Sequence, residues 1–416
     1  MSLDFIIFIF FYFLILFSTI GFGLVFENIF KLKEASLSLG YIGLLGILFL
    51  TTYSYASHYL FPHGIIHNVI VLIIGLVAFV ILIKHKKSEF LYLLIIFFIL
   101  LSGFFLFKTH DDFPYYHFPY AYHLTQNSVI FGTGILNHGF RTPSSIFFLN
   151  SLFYFPYVKF HLFQMGAILF FGFSITVLIN DLKKNFKAND IDNVFFLRLF
   201  CLVFSLVFFY RIQEHGTDRS AQILILLFII EIFNLRKNYN LFNYNLSKIL
   251  ILLTLIVGLK LFYLLYLIFI IPLIYYLYED KKINFISELF YNKLFYLSVF
   301  SFIFYILTYF LNTGCFFYPI SISCFENFSW SIQIDYVEKL KLHYENWAKA
   351  GSGVGYTNNN PENYVKGFNW VLNWIDKYFF NKVLDFIAGI IIVILIFLAT
   401  FCKFQKFKNF HINYKF

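Results

Sequence analysis

Residues 248–278 read KILILLTLIVGLKLFYLLYLIFIIPLIYYLY, an apolar run broken inside by a single charge, Lys260, just after Gly258 and Leu259. One crossing of a hydrocarbon core about 30 Å thick takes roughly 20 helical residues, so the run is too long for one straight span. Its flanks decide how often it crosses. Arg236 and Lys237 precede it, and Lys281 and Lys282 follow it. Short basic loops stay on the cytoplasmic side of a membrane. Both flanks on one side require an even number of crossings, so the stretch reads as two short helices meeting near Lys260.

Working outward, further apolar runs occupy 5–26, 39–57, 65–83, 90–107, 160–179, 194–210, 220–235, 294–311 and 383–402. The first lacks the small-residue cleavage site of a signal peptide and reads as a retained anchor. Lys31 and Lys33 follow the first run, Lys84, Lys86 and Lys87 the third, and Lys183, Lys184 and Lys187 the fifth. Lys403, Lys406, Lys408 and Lys415 follow the last. Placing all of them in the cytoplasm gives about eleven spans, with the N-terminus outside and the C-terminus inside. The expected fold is an all-α, polytopic transmembrane bundle in which residues 1–416 form one membrane domain.

Composition agrees. The chain is 60% hydrophobic and only 13% charged, about half the charge of a soluble domain, and lipid is the solvent such a surface fits. The net charge of +9 sits in loops between apolar runs. With no basic face to lie on a duplex, nucleic acid is excluded as a partner. The bilayer is the expected one.

The outer side then receives 108–159, the short loop 211–219, and 312–381. Function in a membrane protein concentrates where irregular backbone meets water. The first long loop contains an apolar segment, 144–157, which reads either as an interfacial helix on the outer leaflet or as an early start to the next span. The last loop reads as a small cap.

The first outer loop opens Lys108-Thr109-His110-Asp111-Asp112-Phe113-Pro114-Tyr115-Tyr116-His117. Adjacent carboxylates at a membrane boundary repel each other and lose water, which raises the pKa of at least one and suits a general base. They also offer oxygen ligands to Mg²⁺ or Mn²⁺. The plain alternative is a helix stop closed by Pro114. His110, His117, His123 and His138 crowd the same loop, and His117 beside Asp112 is a candidate metal ligand. The loop Arg211-Ile212-Gln213-Glu214-His215-Gly216-Thr217-Asp218-Arg219 carries two arginines against the positive-inside trend. A guanidinium fork matches phosphate, although pairing of Arg211 with Glu214 and of Arg219 with Asp218 would also account for them. Lys260, a charge inside an apolar stretch, needs a partner or an exit to the rim.

These residues resemble the GT-C superfamily, multipass glycosyltransferases that take sugars from polyprenyl-phosphate donors. Asp111-Asp112-Phe113-Pro114-Tyr115-Tyr116 looks like the acidic motif that opens the family's first outer loop. The resemblance implies Asp111 or Asp112 as catalytic base and Arg211, Arg219 and Lys260 as ligands of the donor phosphate. Tyr115, Tyr116, Glu214, His215, Asp218, Trp330 and Trp347 would stand near the substrate. It also implies a bacterial cytoplasmic membrane and assembly of a cell-surface glycan. Three spans precede the one that opens into the acidic loop here, where the family has one. Two other activities fit a chain of this kind: an O-antigen-type polymerase, and a transporter or flippase of lipid-linked glycans. Charges collected at one rim favour chemistry over passage.

All four tryptophans, Trp330, Trp347, Trp370 and Trp374, lie in 312–381. Aromatic faces stack on sugar rings, whereas Trp370 and Trp374 sit where interfacial tryptophans would anchor the last span. The glycines of 351–355 lack the lysine and strand-to-helix context of a nucleotide loop. Cys201 and Cys402 fall in spans. Cys315 and Cys324 share the outer cap, where an oxidising compartment would join them.

Overall fold

The computed structural model describes residues 3–30, 37–106, 108–237, 241–281, 285–353 and 355–407. Lys31, Lys33, Lys282, Lys408 and Lys415 lie outside them. Most of the described residues are helical, and one short hairpin pairs Ser352–Gly353 with Tyr356–Thr357.

Eight helices among the described residues are long and apolar enough to cross a membrane, and the chain is a multi-pass membrane protein. The first three are α1 (Leu3–Ile29), α2 (Leu39–His58) and α3 (Ile65–Leu82). The others are 89–106, 160–188, 242–259, 261–279 and 293–313. A bent pair, Val371–Phe380 and Leu384–Leu398, meets at 50° and makes a ninth if it forms one span. A count of eleven needs two more helices, Asn193–Phe208 and Asp218–Lys237. The first is short, and the second is interrupted by Glu231, which is why neither meets the same standard.

Burial sorts the bundle into a centre and a rim. Within the most apolar 18 residues of Leu39–His58, Phe160–Ala188 and Phe242–Leu259, 83%, 89% and 83% are buried, whereas within those of Ile65–Leu82 and Leu261–Glu279 only 22% are. Those two rim helices expose Ile66, Ile73, Val80, Phe262 and Ile268. A water-soluble fold would not leave so continuous an apolar exterior.

Small residues set the closest approaches. A Cβ added to Gly21 would lie 1.9 Å from the Gly75 carbonyl oxygen, and one added to Gly46 would lie 2.0 Å from that of Thr19. Backbone therefore meets backbone where α1 crosses α2 and α3, the packing that replaces the hydrophobic effect between helices in lipid.

The bundle end opposite Asp112 is tied by charge. Glu231, fully buried, accepts from Tyr41 Oη at 2.7 Å and from Lys248 Nζ at 3.3 Å. Arg198 donates to Asn234 Oδ1 at 2.7 Å and lies 3.7 Å from Asp181. Lys86 pairs with Glu27 at 3.7 Å and Lys184 with Glu89 at 3.8 Å. Lys86 and Lys184, expected in loops on a common side, thus meet carboxylates at the same end.

The segment 144–157 departs from both expectations. Its helix, Ser145–Ser151, is buried at every residue. It is plugged into the bundle: Ser54 Oγ donates to the Phe148 carbonyl at 2.6 Å, and Ser144 Oγ to the Leu259 carbonyl at 2.7 Å. An interfacial helix turns a face to water, and burial of every residue leaves none turned outward.

Residue 260 breaks the long apolar stretch. Phe242–Leu259 ends there, and the chain resumes as a 3₁₀ run, Leu261–Phe269, and an α-helix, Ile270–Lys281. The cap comprises helix Ile334–Ala348, the hairpin and the short helix Pro361–Val365.

Candidate functional site

The acidic turn is not a free loop. His110 N–H donates to the Gln213 carbonyl at 3.1 Å, which fastens 108–117 to 211–219. Gly216, with φ +50°, sits over the turn so closely that a Cβ would meet His117 Cε1 at 3.0 Å. The two loops that looked separately interesting in sequence form one surface.

Within it, Asp111 and Asp112 part ways. Asp111 is turned to solvent, its side chain 84% exposed, and accepts from Lys108 Nζ at 2.9 Å. That hydrogen bond and charge hold its carboxyl below the usual range. The raised pKa expected of a crowded pair is therefore not found at Asp111, because the residues point apart and the nearest charge is a cation. Asp112 is half-exposed and inward: its Oδ2 accepts from Tyr116 Oη at 3.0 Å and lies 3.8 Å from His110 Nδ1. Burial, then the charge of Asp112, pushes the Tyr116 phenol up, so it stays a donor.

The cations are partnered. Lys260 Nζ donates to both carboxylate oxygens of Asp218, at 2.8 and 3.0 Å, and Tyr263 Oη donates to Asp218 Oδ1 at 3.1 Å. Arg211 and Arg219 each reach Glu214 at 3.5 Å. The pairing foreseen between Asp218 and Arg219 is replaced by one with Lys260, which the break after Leu259 brings to the rim. Three cations facing two carboxylates leave one net positive charge. The charge of Asp218 is also felt at Tyr116 and His117, so the Lys260 group and the acidic turn share one neighbourhood.

Other expected site residues sit differently. His215 is 1% exposed, with Nε2 2.7 Å from the Phe209 carbonyl and its ring against Phe171. Tyr115 is 72% exposed. Trp330 packs in an aromatic cluster with Phe310 and Phe328, at centroid distances of 5.4 and 5.1 Å. Trp347 lies on the exposed cap helix, 44% exposed. Cys315 and Cys324 form a disulfide, and Cys201 is buried and free.

Sequence reading missed three participants. Tyr263 was hidden among the many tyrosines of the apolar stretch, and only its spacing of three from Lys260 could have marked it. His110, treated as one of several loop histidines, stands against His117, ring centroids 5.4 Å apart. Arg141, buried at 7% exposure, donates Nε–H to the Gly134 carbonyl at 2.8 Å and lies 5.1 Å from the Tyr336 ring. With Tyr344 Oη 2.6 Å from His138 Nε2, it docks the cap helix onto the first loop.

Neither among curated proteins nor among solved structures does any match this chain. A family model does, over residues 5–414, and the chain belongs to the family described as a domain of unknown function (DUF8201).

Proposed function

We propose that the chain is a membrane glycosyltransferase that moves a sugar from a polyprenyl-phosphate donor to an acceptor at the bundle end carrying Asp112. One observation carries this reading: the 211–219 loop is fastened to the acidic turn, so an inward carboxylate, two arginines and Lys260 share one rim. A lipid-linked donor suits such a place, since its tail stays in lipid while the sugar phosphate reaches the polar rim.

In this mechanism the carboxylate of Asp112 takes the proton from an acceptor hydroxyl as that oxygen bonds to the anomeric carbon. The bond from that carbon to the phosphate oxygen breaks on the opposite face, inverting the configuration, and the polyprenyl phosphate departs. Tyr116 orients Asp112. Arg211, Arg219 and Lys260 meet the negative charge growing on the leaving group. Glu214 and Asp218 keep these cations in place until phosphate competes for them. The rim faces the outside, by the positive-inside rule applied to the lysines of the opposite end.

A polymerase of lipid-linked glycans would use the same cations and has no need of Asp112. Transfer of a labelled sugar from polyprenyl-linked pools, measured in membranes containing wild type or Asp112→Asn, tests the proposal and separates the two readings.

A further inference from the structure

His110, Asp112 and His117 each offer one ligand atom, and the three atoms lie within 4.8 Å of one another. We infer that they form a binding site for a divalent transition-metal ion of the zinc type. Metal binding would be a property of these three side chains whether or not the chain transfers sugars.

The second observation is His117 itself. The residue is 7% exposed, and its Nε2 has no hydrogen-bond partner among the described residues. A buried polar nitrogen left unpaired costs roughly 1–3 kcal/mol, so an imidazole kept that way beside a carboxylate calls for a ligand. The nearby Gln213 amide nitrogen is also buried and unpaired, and the two residues line one small cavity with His110 and Gly216. The rings of His110 and His117 stack nearly parallel, 24° apart. Gly216 leaves the space: a Cβ there would lie 3.0 Å from His117 Cε1 and 3.7 Å from His110 Cδ2.

The donor set chooses the ion. Mg²⁺ takes oxygen ligands in a strict octahedron and keeps its water, so the magnesium expected from two carboxylates fits poorly once Asp111 has turned away to Lys108. Two imidazoles and one carboxylate suit Zn²⁺, or Co²⁺ as its spectroscopic substitute. Three protein ligands leave a coordination position open, the arrangement of catalytic zinc sites, where an oxygen of water, hydroxyl or phosphate completes the shell. A carboxylate that ligates through one oxygen keeps the other for a proton, so metal binding is compatible with Asp112 as a base.

The test uses the full-length chain in detergent, stripped with chelator and then titrated with Zn²⁺ or Co²⁺. One equivalent should bind, with Co²⁺ giving visible absorption of the low-symmetry, four- to five-coordinate kind. His117→Ala, His110→Ala and Asp112→Asn should each weaken binding by at least about tenfold, the lower end of what even an outer-shell change costs. His123→Ala should leave it unchanged. Because a cavity at His117 could harm folding, His110→Gln, at a more exposed position, provides the second line of test. Equal affinity in wild type and in the folded His110→Gln and Asp112→Asn variants, or no stoichiometric binding in wild type, overturns the inference. Stoichiometric binding without sugar transfer would refute only the transferase reading, and transfer by metal-free protein with no bound equivalent would refute only this one.

Discussion

Lys108 Nζ holds Asp111 Oδ1 at 2.9 Å, and this contact makes two adjacent carboxylates unequal. Its partner cation keeps Asp111 ionised and facing water, where a base gains nothing from the site. Asp111→Asn should therefore leave both the melting temperature in detergent and the initial rate of sugar transfer close to wild type. A rate loss as large as that of Asp112→Asn would show that the pair works as a unit.

Glu231 and Lys248 make the opposite case, a buried pair in which each charge depends on the other. Lys248 also lies 4.9 Å from the Tyr41 ring and 4.5 Å from the Tyr244 ring. Removing one member of a buried pair costs about 3–5 kcal/mol, because the other is left uncompensated. Lys248→Met should destabilise the detergent-solubilised protein by that order. The double variant Glu231→Gln with Lys248→Met should recover much of the loss. If the double variant is as unstable as the single, the pair is not the source.

Burial lowers the pKa of His215 to about 4, with the bond to the Phe209 carbonyl opposing the shift. The unfolded chain then binds a proton that the folded chain refuses between roughly pH 6.5 and 4. Stability from neutral His215 is present above that window and is lost as pH falls through it, by at most about 1.4 kcal/mol per pH unit. Melting curves from pH 7.5 to 4.5 should show a flatter dependence for His215→Asn than for wild type. Parallel curves would contradict the assignment.

Much of this architecture was legible in sequence because lipid demands it. Apolar runs near 20 residues gave the helices 3–29, 39–58, 65–82 and 293–313 closely, and the break at Lys260 followed from charge at both flanks. The acidic turn and the arginine loop were also visible, since charges stand out in a chain with few of them. What stayed hidden depended on tertiary contact. The burial of Ser145–Ser151 comes from packing against α2 and Leu259, and no property of the segment alone decides that. Asp218 chose Lys260 over Arg219 because a helix break 42 residues away delivers the lysine. The opposite orientations of Asp111 and Asp112 arise in a turn whose direction is fixed by the bond from His110 to Gln213.

The cap should depend on Cys315 and Cys324, whose disulfide closes a short loop next to the aromatic cluster of Trp330. Closing a loop of this size contributes roughly 2–3 kcal/mol in the chain-entropy account. Cys315→Ser with Cys324→Ser should make 312–381 more sensitive to limited proteolysis while the membrane helices keep their melting behaviour. Mass spectrometry of unreduced peptides should show the crosslink in exported wild-type protein, and free thiols at both positions would remove it from the account.

The proposed transfer turns on Asp112 as its base. Its most direct test is the initial rate of transfer from a polyprenyl-phosphate-linked sugar, measured on purified Asp112→Asn matched to wild type for folding by melting temperature. Removing a general base costs about 10²–10⁴-fold in rate, and a loss of that size is expected, with Arg211→Ala instead raising the donor concentration needed for half-maximal rate. Asp112→Asn protein that transfers sugar at the wild-type rate would rule out Asp112 as that base.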